Sequence, residues 1–217
     1  MSGINVQKLA GLGAAERAAL VRRSESDLSF FLEKVQPIID AVKNEGDAAL
    51  VRYGRDFDKA VSLTAETLQV SEAEFDEAFG LVDDKVIEAI RFGIGNIKNF
   101  HEEQAPEPMW LKEVRPGAFA GDRYLPINSV ALYVPRGKGS FPSVTMMTAV
   151  PGVVAKVPNL AIFTPPGPDG KVDAATLVAA RIAGVETVYK CGGAQAVAAA
   201  AYGTETVKKA HKIVGPG

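Results

Sequence analysis

Between Ser129 and Val214 one sequence grammar repeats, and it narrows the possible folds more than any other feature. A short apolar run is followed by a Gly/Pro loop and then by a stretch with helical spacing. Ser129 to Val134 (SVALYV) leads through PRGKGSFPS into the helical stretch Ser143 to Lys156. Asn159 to Thr164 (NLAIFT) leads through PPGPDGK into Ala174 to Ala183. Glu186 to Lys190 (ETVYK) leads through Gly192–Gly193 into Ala194 to Tyr202, and Lys212 to Val214 opens a fourth run before Gly215-Pro216-Gly217. Apolar strands alternating with helices predict βαβ units, a parallel sheet and right-handed crossovers. The expected fold class is α/β: an incomplete Rossmann-like parallel sheet preceded by a mainly helical N-terminal region. Ligands of such sheets sit outside the carboxyl ends of the strands, so PRGKGSFPS, PPGPDGK and CGGAQ form the candidate site.

A composition shift near Pro126 divides residues 1–126, where charged helical patterns dominate, from residues 127–217, where Gly, Pro, Val and Ala take over. Glu33 to Tyr53 has helical spacing interrupted at Gly46 and predicts two helices or one bent helix. Glu66 to Val70 is a short strand candidate. Ser71 and Glu74 form a capping box, with Val70 and Phe75 placed as its hydrophobic staple. A helix follows from Asp83 to Glu103. Trp110 to Val114, the Pro116–Gly117 turn and Ala118 to Leu125 predict a β-hairpin.

Composition removes several function classes. Lys plus Arg number 24 against 26 Asp plus Glu, a net charge of −2, so no basic field exists to hold nucleic acid. One cysteine and two histidines leave no disulfide framework and no Cys-based zinc cluster. No stretch is apolar for long enough to span a membrane, and the N-terminus shows no secretory pattern, so a cytoplasmic protein is expected. No G-x-S-x-G follows a strand, which sets aside a serine hydrolase.

Within the loops, Ser143 is a candidate cap for its helix. That helix N-terminus, with Arg136 and Lys138, could face an anion such as a pyrophosphate. The alternative reading of the loop is a Gly/Pro turn with two solvated cations. The double glycine before Gln195 lets backbone N–H groups approach a ligand, or merely lets strand and helix pack closely. Cys191 reads as a buried small hydrophobe rather than a nucleophile, since no histidine lies near it in sequence. His101 and His211 read as surface or capping residues, Gly93 and Gly95 as packing positions, and the carboxylates from Glu72 to Asp84 as a solvated helix face. The strand ending in Thr164-Pro165-Pro166 lacks the acidic residue that accepts ribose hydroxyls in an ordinary dinucleotide fold.

The runs INSVALYVPRGKGSFPSVTMMTAVPGVVAKV, AARIAGVETVYKCGGAQAVAAAAYGTETV and KIVGPG together resemble the histidinol dehydrogenase family. The resemblance implies an enzyme that uses NAD and bound zinc to oxidise an amino alcohol through the aldehyde to the carboxylate in histidine biosynthesis. It also implies a homodimer with two incomplete Rossmann-like domains. The family's NAD contacts fall on Tyr133 and Gln195, with Pro135 and Gly193 beside them as cofactor-binding positions. A third contact, an asparagine after Gly-Pro-Gly, falls one residue beyond Gly217. The family's glutamate–histidine base and its zinc ligands lie further along in family members. No catalytic or metal-binding residue is therefore expected in this chain, which reads as an N-terminal portion inactive alone. Arg136 stands where histidinol dehydrogenases carry glycine. The PRGKG version resembles relatives acting on other alcohols, such as sulfopropanediol, in which two added cations could serve an anionic group. A free-standing nucleotide-binding module is the remaining alternative.

Overall fold

The computed structural model describes residues 6–21, 29–137 and 139–216. It divides into two units, residues 1–37 and 38–217. The smaller unit contains a 3-10 turn at Leu9–Gly11 and helix α1 (Ala14–Val21), where the Arg17 guanidinium donates to the carbonyls of Leu9 and Leu12. Helix α2 (Ser29–Glu45) belongs to the larger unit from Ile38 onward.

The rest of the larger unit begins with α3 (Asp47–Phe57), α4 (Glu72–Leu81) and α5 (Asp84–Gln104). A hairpin of β1 (Met109–Arg115) and β2 (Ala118–Arg123) follows, with a register shift between Glu113 and Arg115. The repeating grammar then becomes β3 (Ser129–Tyr133), α6 (Pro142–Val154), β4 (Asn159–Thr164), α7 (Ala174–Ala183), β5 (Thr187–Lys190), α8 (Gly193–Tyr202) and β6 (Lys212–Val214). These strands form a four-stranded parallel sheet in the order β5-β4-β3-β6. Two crossovers step one way from β3, and the third returns to its other side. The switch point of the sheet therefore lies between β3 and β6.

Alternate residues serve alternate faces, as the strand period requires. Val130, Leu132, Ile162 and Val188 pack with residues of α4, α5, α6 and α7. Ala131, Phe163 and Tyr189 pack on the other side with α8, α3 and the end of α2.

The stretch Glu66 to Val70 is not a strand. Thr64 and Thr67 cap one another, and the Thr64 N–H donates to Thr67 Oγ1 at 2.9 Å, curling Ala65–Thr67 into a 3-10 turn. Only Gln69 forms an isolated bridge with Tyr189, flanked by Val70 N–H to Val188 O and Lys190 N–H to Leu68 O. The segment covers the β5 edge without extending the sheet. Ser143 is not a cap either: Phe141 takes that position, and Pro142 occupies the first turn, where its missing N–H costs nothing.

The carboxylates read as a solvated face make specific ties. Glu72 pairs with Arg181, Glu77 with Lys171, and Glu74 with the buried Lys190. Arg181 also lies 4.2 Å from the centroid of the Phe75 ring. The capping box forms as expected, with the Ser71 N–H donating to Glu74 Oε2 at 3.0 Å. Glu74 thus caps its own helix and fixes that helix to the end of β5.

The run Thr204-Glu205-Thr206 grips the start of α3. The buried Asp47 carboxylate accepts from the Thr204 hydroxyl, the Thr206 hydroxyl and the Thr206 N–H, while Glu205 Oε2 accepts the Asp47 N–H at 2.8 Å. Gly46 sits at φ +56°, and a β-carbon there would overlap Glu205 Oε2. The interruption visible in the sequence is thus the place where the segment between α8 and β6 docks.

Asp47→Ala strands these donors in a buried site and is expected to cost about 3 kcal/mol in chemical denaturation. Asp56→Ala, on an exposed face of the same helix, should change stability by less than about 0.5 kcal/mol, and equal losses would show that the Asp47 contacts contribute nothing special. The Glu74 carboxyl is raised by burial, but the Lys190 pair and the Ser71 hydrogen bonds outweigh this and hold it below its ordinary value of 4.5. A depressed carboxyl stabilises the fold above the unfolded-state value and loses that contribution as pH falls through the folded one. Glu74→Gln should therefore flatten the loss of unfolding free energy with acid below pH 4.5, as read by urea titration; an unchanged slope would remove this pair from the acid response.

Candidate functional site

The candidate loops converge at the carboxyl ends of the strands. Tyr133 closes β3, and its side-chain oxygen accepts the Gly193 N–H at 3.0 Å, joining the end of the first strand to the start of α8. Gly193 holds φ +62°, a conformation that favours glycine, so the chain can turn sharply from strand into helix. Its neighbour Gly192 meets the residue that follows β4: a β-carbon there would lie 2.7 Å from Pro165 Cβ. The packing reading of the double glycine therefore holds at Gly192, while Gly193 is exposed. Gln195, in the first turn of α8, is only 3% exposed, and its side-chain amide has no hydrogen-bond partner among the described residues. Pro135 is half-buried two residues beyond Tyr133. On the β6 side, a β-carbon on Gly215 would overlap the Tyr133 carbonyl. Tyr133, Pro135, Gly193 and Gln195 thus lie along one edge, beside the switch point.

The other two loops meet alongside. The Ser140 hydroxyl donates to Asp173 Oδ2 at 2.7 Å, tying the loop after β3 to the cap of α7. Arg136 lies over Gly167, where a β-carbon would stand 2.7 Å from Nη1 and 2.5 Å from Asp169 Oδ1. Asp58, at the C-cap of α3, carries a buried Oδ2 with no hydrogen-bond partner among the described residues. Burial raises the Asp58 carboxyl, and the charge of Arg136 pulls the other way. Arg136 therefore does not present the bare positive potential expected from its sequence position. Lys138 lies outside the described residues. Sequence reasoning chose the loop PPGPDGK but singled out neither Asp169 nor Asp58. The acid in a loop following the second strand was a usable signal for the first; nothing local marks the second.

Cys191 is buried, and burial pushes its thiol well up from the ordinary value, with Asp58 and Asp47 adding to the effect. It is a packing residue, as expected. His211 is a surface residue whose Nδ1 lies 2.8 Å from Ser129 Oγ at the amino end of the sheet, and His101 stands edge-on to Phe100. Among the described residues, no group of three or more His, Cys, Asp or Glu side chains is placed to hold a metal ion. No helix among them is long and apolar enough to cross a membrane. A cavity of about 420 Å³ opens at the opposite edge of the sheet, against Ser129, Asn159 and Thr187, and none of the four expected cofactor residues lines it.

Residues 21–217 match the family model described as histidinol dehydrogenase. A histidinol dehydrogenase homolog from Cereibacter sphaeroides is 77% identical over 217 residues, covering 100% of this chain and 49% of the relative. A histidinol dehydrogenase from a Synechocystis species is 49% identical over 211 residues, covering 97% of this chain and 48% of the relative. The crystal structure of histidinol dehydrogenase from Elizabethkingia anophelis matches with a TM-score of 0.85 at 33% identity, covering 95% of this chain and 47% of that one. The chain spans about half the length of the curated relatives it matches.

The buried, undissociated thiol predicts that Cys191 will not react with a disulfide reagent in the native state and will react stoichiometrically in denaturant. Fast modification of the folded chain would place Cys191 in an accessible position instead.

Proposed function

The chain belongs to the histidinol dehydrogenase family, and from that premise we propose that residues 127–217 form the cofactor domain of an NAD-dependent oxidoreductase. Its substrate is a small alcohol, histidinol or a similar compound, taken through the aldehyde to the carboxylate. The observation that supports this most directly is the contact between Tyr133 and Gly193 across the carboxyl edge, with the buried Gln195, whose amide has no hydrogen-bond partner among the described residues, in the same helical turn. Gly192 packs on Pro165 and Gly215 on the Tyr133 carbonyl, while Gly193 is exposed at the carboxyl edge, where a dinucleotide would lie. The nicotinamide, when bound, would supply the hydride acceptor for oxidation of the carbinol carbon. Tyr133 would orient the nucleotide by its ring and hydroxyl, Gly193 would leave it room, Pro135 would wall the pocket and Gln195 would offer both a donor and an acceptor.

Zinc is implied by the family resemblance for the complete enzyme, but the described residues do not fit it. Among them no group of three or more His, Cys, Asp or Glu side chains is placed to hold a metal ion. No step is derived through zinc. The homodimer that the resemblance implies finds apolar surface on the hairpin, where Trp110, Leu111 and Phe119 are each at least half exposed.

A second substrate is favoured by one comparison. The relatives at 77%, 70% and 69% identity are called histidinol dehydrogenase homologs, whereas relatives named histidinol dehydrogenase without qualification stand at 49% and below among those compared. Another alcohol, such as sulfopropanediol, is therefore the alternative within the same chemistry. Turnover of the complete reading frame on histidinol and on a sulfonated diol separates the two.

Calorimetric titration of the chain with NAD tests the cofactor reading. Tyr133→Ala and Gln195→Ala should each raise the dissociation constant by about tenfold, the loss of roughly one good contact. Affinity unchanged in both variants would overturn the assignment.

A further inference from the structure

Dinucleotide-binding sheets commonly end their second strand in an acidic residue that accepts the ribose hydroxyls. β4 ends in Thr164-Pro165-Pro166 and supplies none. The fold brings a carboxylate to the same end of the strand by another route. The following loop closes on itself, with Gly167 N–H donating to Lys171 O at 2.7 Å and Gly170 N–H to Gly167 O at 2.8 Å. Asp169 stands exposed at its tip. Its Oδ1 accepts the Lys171 N–H at 3.1 Å, and its Oδ2 has no hydrogen-bond partner among the described residues.

Arg136 reaches this point from the loop after β3. A β-carbon on Gly167 would lie 2.5 Å from Asp169 Oδ1 and 2.7 and 3.0 Å from Arg136 Nη1 and Nη2, so both head groups approach this glycine. The guanidinium hydrogen-bonds to none of the described residues. Charge close to it comes from Asp58, whose buried Oδ2 is itself without a hydrogen-bond partner among the described residues. Acceptors and donors with balanced charge suit a neutral diol better than a free phosphate, which would meet Asp169 and Asp58 as well as Arg136.

We propose that Asp169 and Arg136, meeting over Gly167, bind the adenosine ribose of the dinucleotide, Asp169 accepting its vicinal hydroxyls and Arg136 donating to their oxygens. The proposal rests on the NAD reading above and supplies the ribose acceptor that β4 lacks. Asp58 is a positioning residue in it, holding the guanidinium by charge without touching the ligand.

Calorimetric titration of the 217-residue chain with ADP and with 2′-deoxyADP tests the proposal. The unaltered chain should bind ADP about tenfold more tightly than the deoxy compound. Asp169→Asn retains the Oδ1 acceptor for Lys171, so thermal unfolding should not change, yet it should weaken ADP and NAD by about tenfold and abolish the discrimination. Arg136→Gln should weaken ADP and narrow the discrimination. A chain that binds NAD and loses affinity on Gln195→Ala, but in which Asp169→Asn keeps both affinity and discrimination, would overturn the ribose assignment alone. A chain that binds neither NAD nor ADP would overturn the cofactor reading and this inference with it.

Discussion

A parallel sheet must be covered on both faces, because its strands are apolar on both sides and neighbouring strands are joined by helices. In this chain the sheet's own crossovers do not complete the cover. Helices α6 and α7 lie on one face and α8 alone on the other, so α4 and α5 complete the first layer and α3 with the end of α2 the second. The early helices are therefore part of the sheet's core, and their charged faces are the parts left over. Leu50 and Phe75, far apart in sequence and in different layers, are both fully buried because each faces this one sheet from its own side.

Covering the sheet from two separate stretches of chain requires fasteners, and these are polar. Glu72, Glu74 and Glu77 tie α4 to α7, to the end of β5 and to the loop before α7, while Asp47 ties α3 to the segment that leads into β6. The two kinds of fastener differ in strength. Exposed pairs such as Glu77 with Lys171 contribute little, generally under about 1 kcal/mol. The buried Asp47 carboxylate contributes more, because removing it leaves its donors without water. The site inherits its geometry from this second kind: β6 lines the switch point, and its position follows from the docking of residues 204–206 on α3.

Patterns carried by near neighbours were legible before the structure. The four sheet strands, the capping box at Ser71, the break at Gly46 and the double glycine at 192–193 each depend on residues within one turn or one strand. The features that were not legible depend on partners far along the chain. Glu74 finds Lys190 across 116 residues, and Arg181 finds Glu72 across 109. Nothing in the helical period of Glu72 to Leu81 distinguishes a solvated acid from a fastener. The short extended reading of Glu66 to Val70 failed for a local reason instead. A reciprocal Thr64–Thr67 cap competes with strand geometry, and Ser/Thr side chains commonly offer the backbone that alternative.

The same distinction explains why the charge of Arg136 could be misread. From sequence it stands with Lys138 at a helix N-terminus, where positive potential attracts anions. In the fold it lies over Gly167 beside Asp169, with Asp58 close enough to act on it. Neighbouring charges of opposite sign offset one another's field, so Asp58 and Asp169 weaken the attraction that the guanidinium exerts on an approaching phosphate. They do not offset its hydrogen-bond donors, which remain directed at whatever neutral group fits between them and Asp169. An anion, on a substrate or a cofactor, gains from Arg136 only against the opposing charge of these carboxylates. A hydroxyl pair meets no such opposition, so the charge balance of this corner favours recognition by hydrogen bonds over recognition by charge.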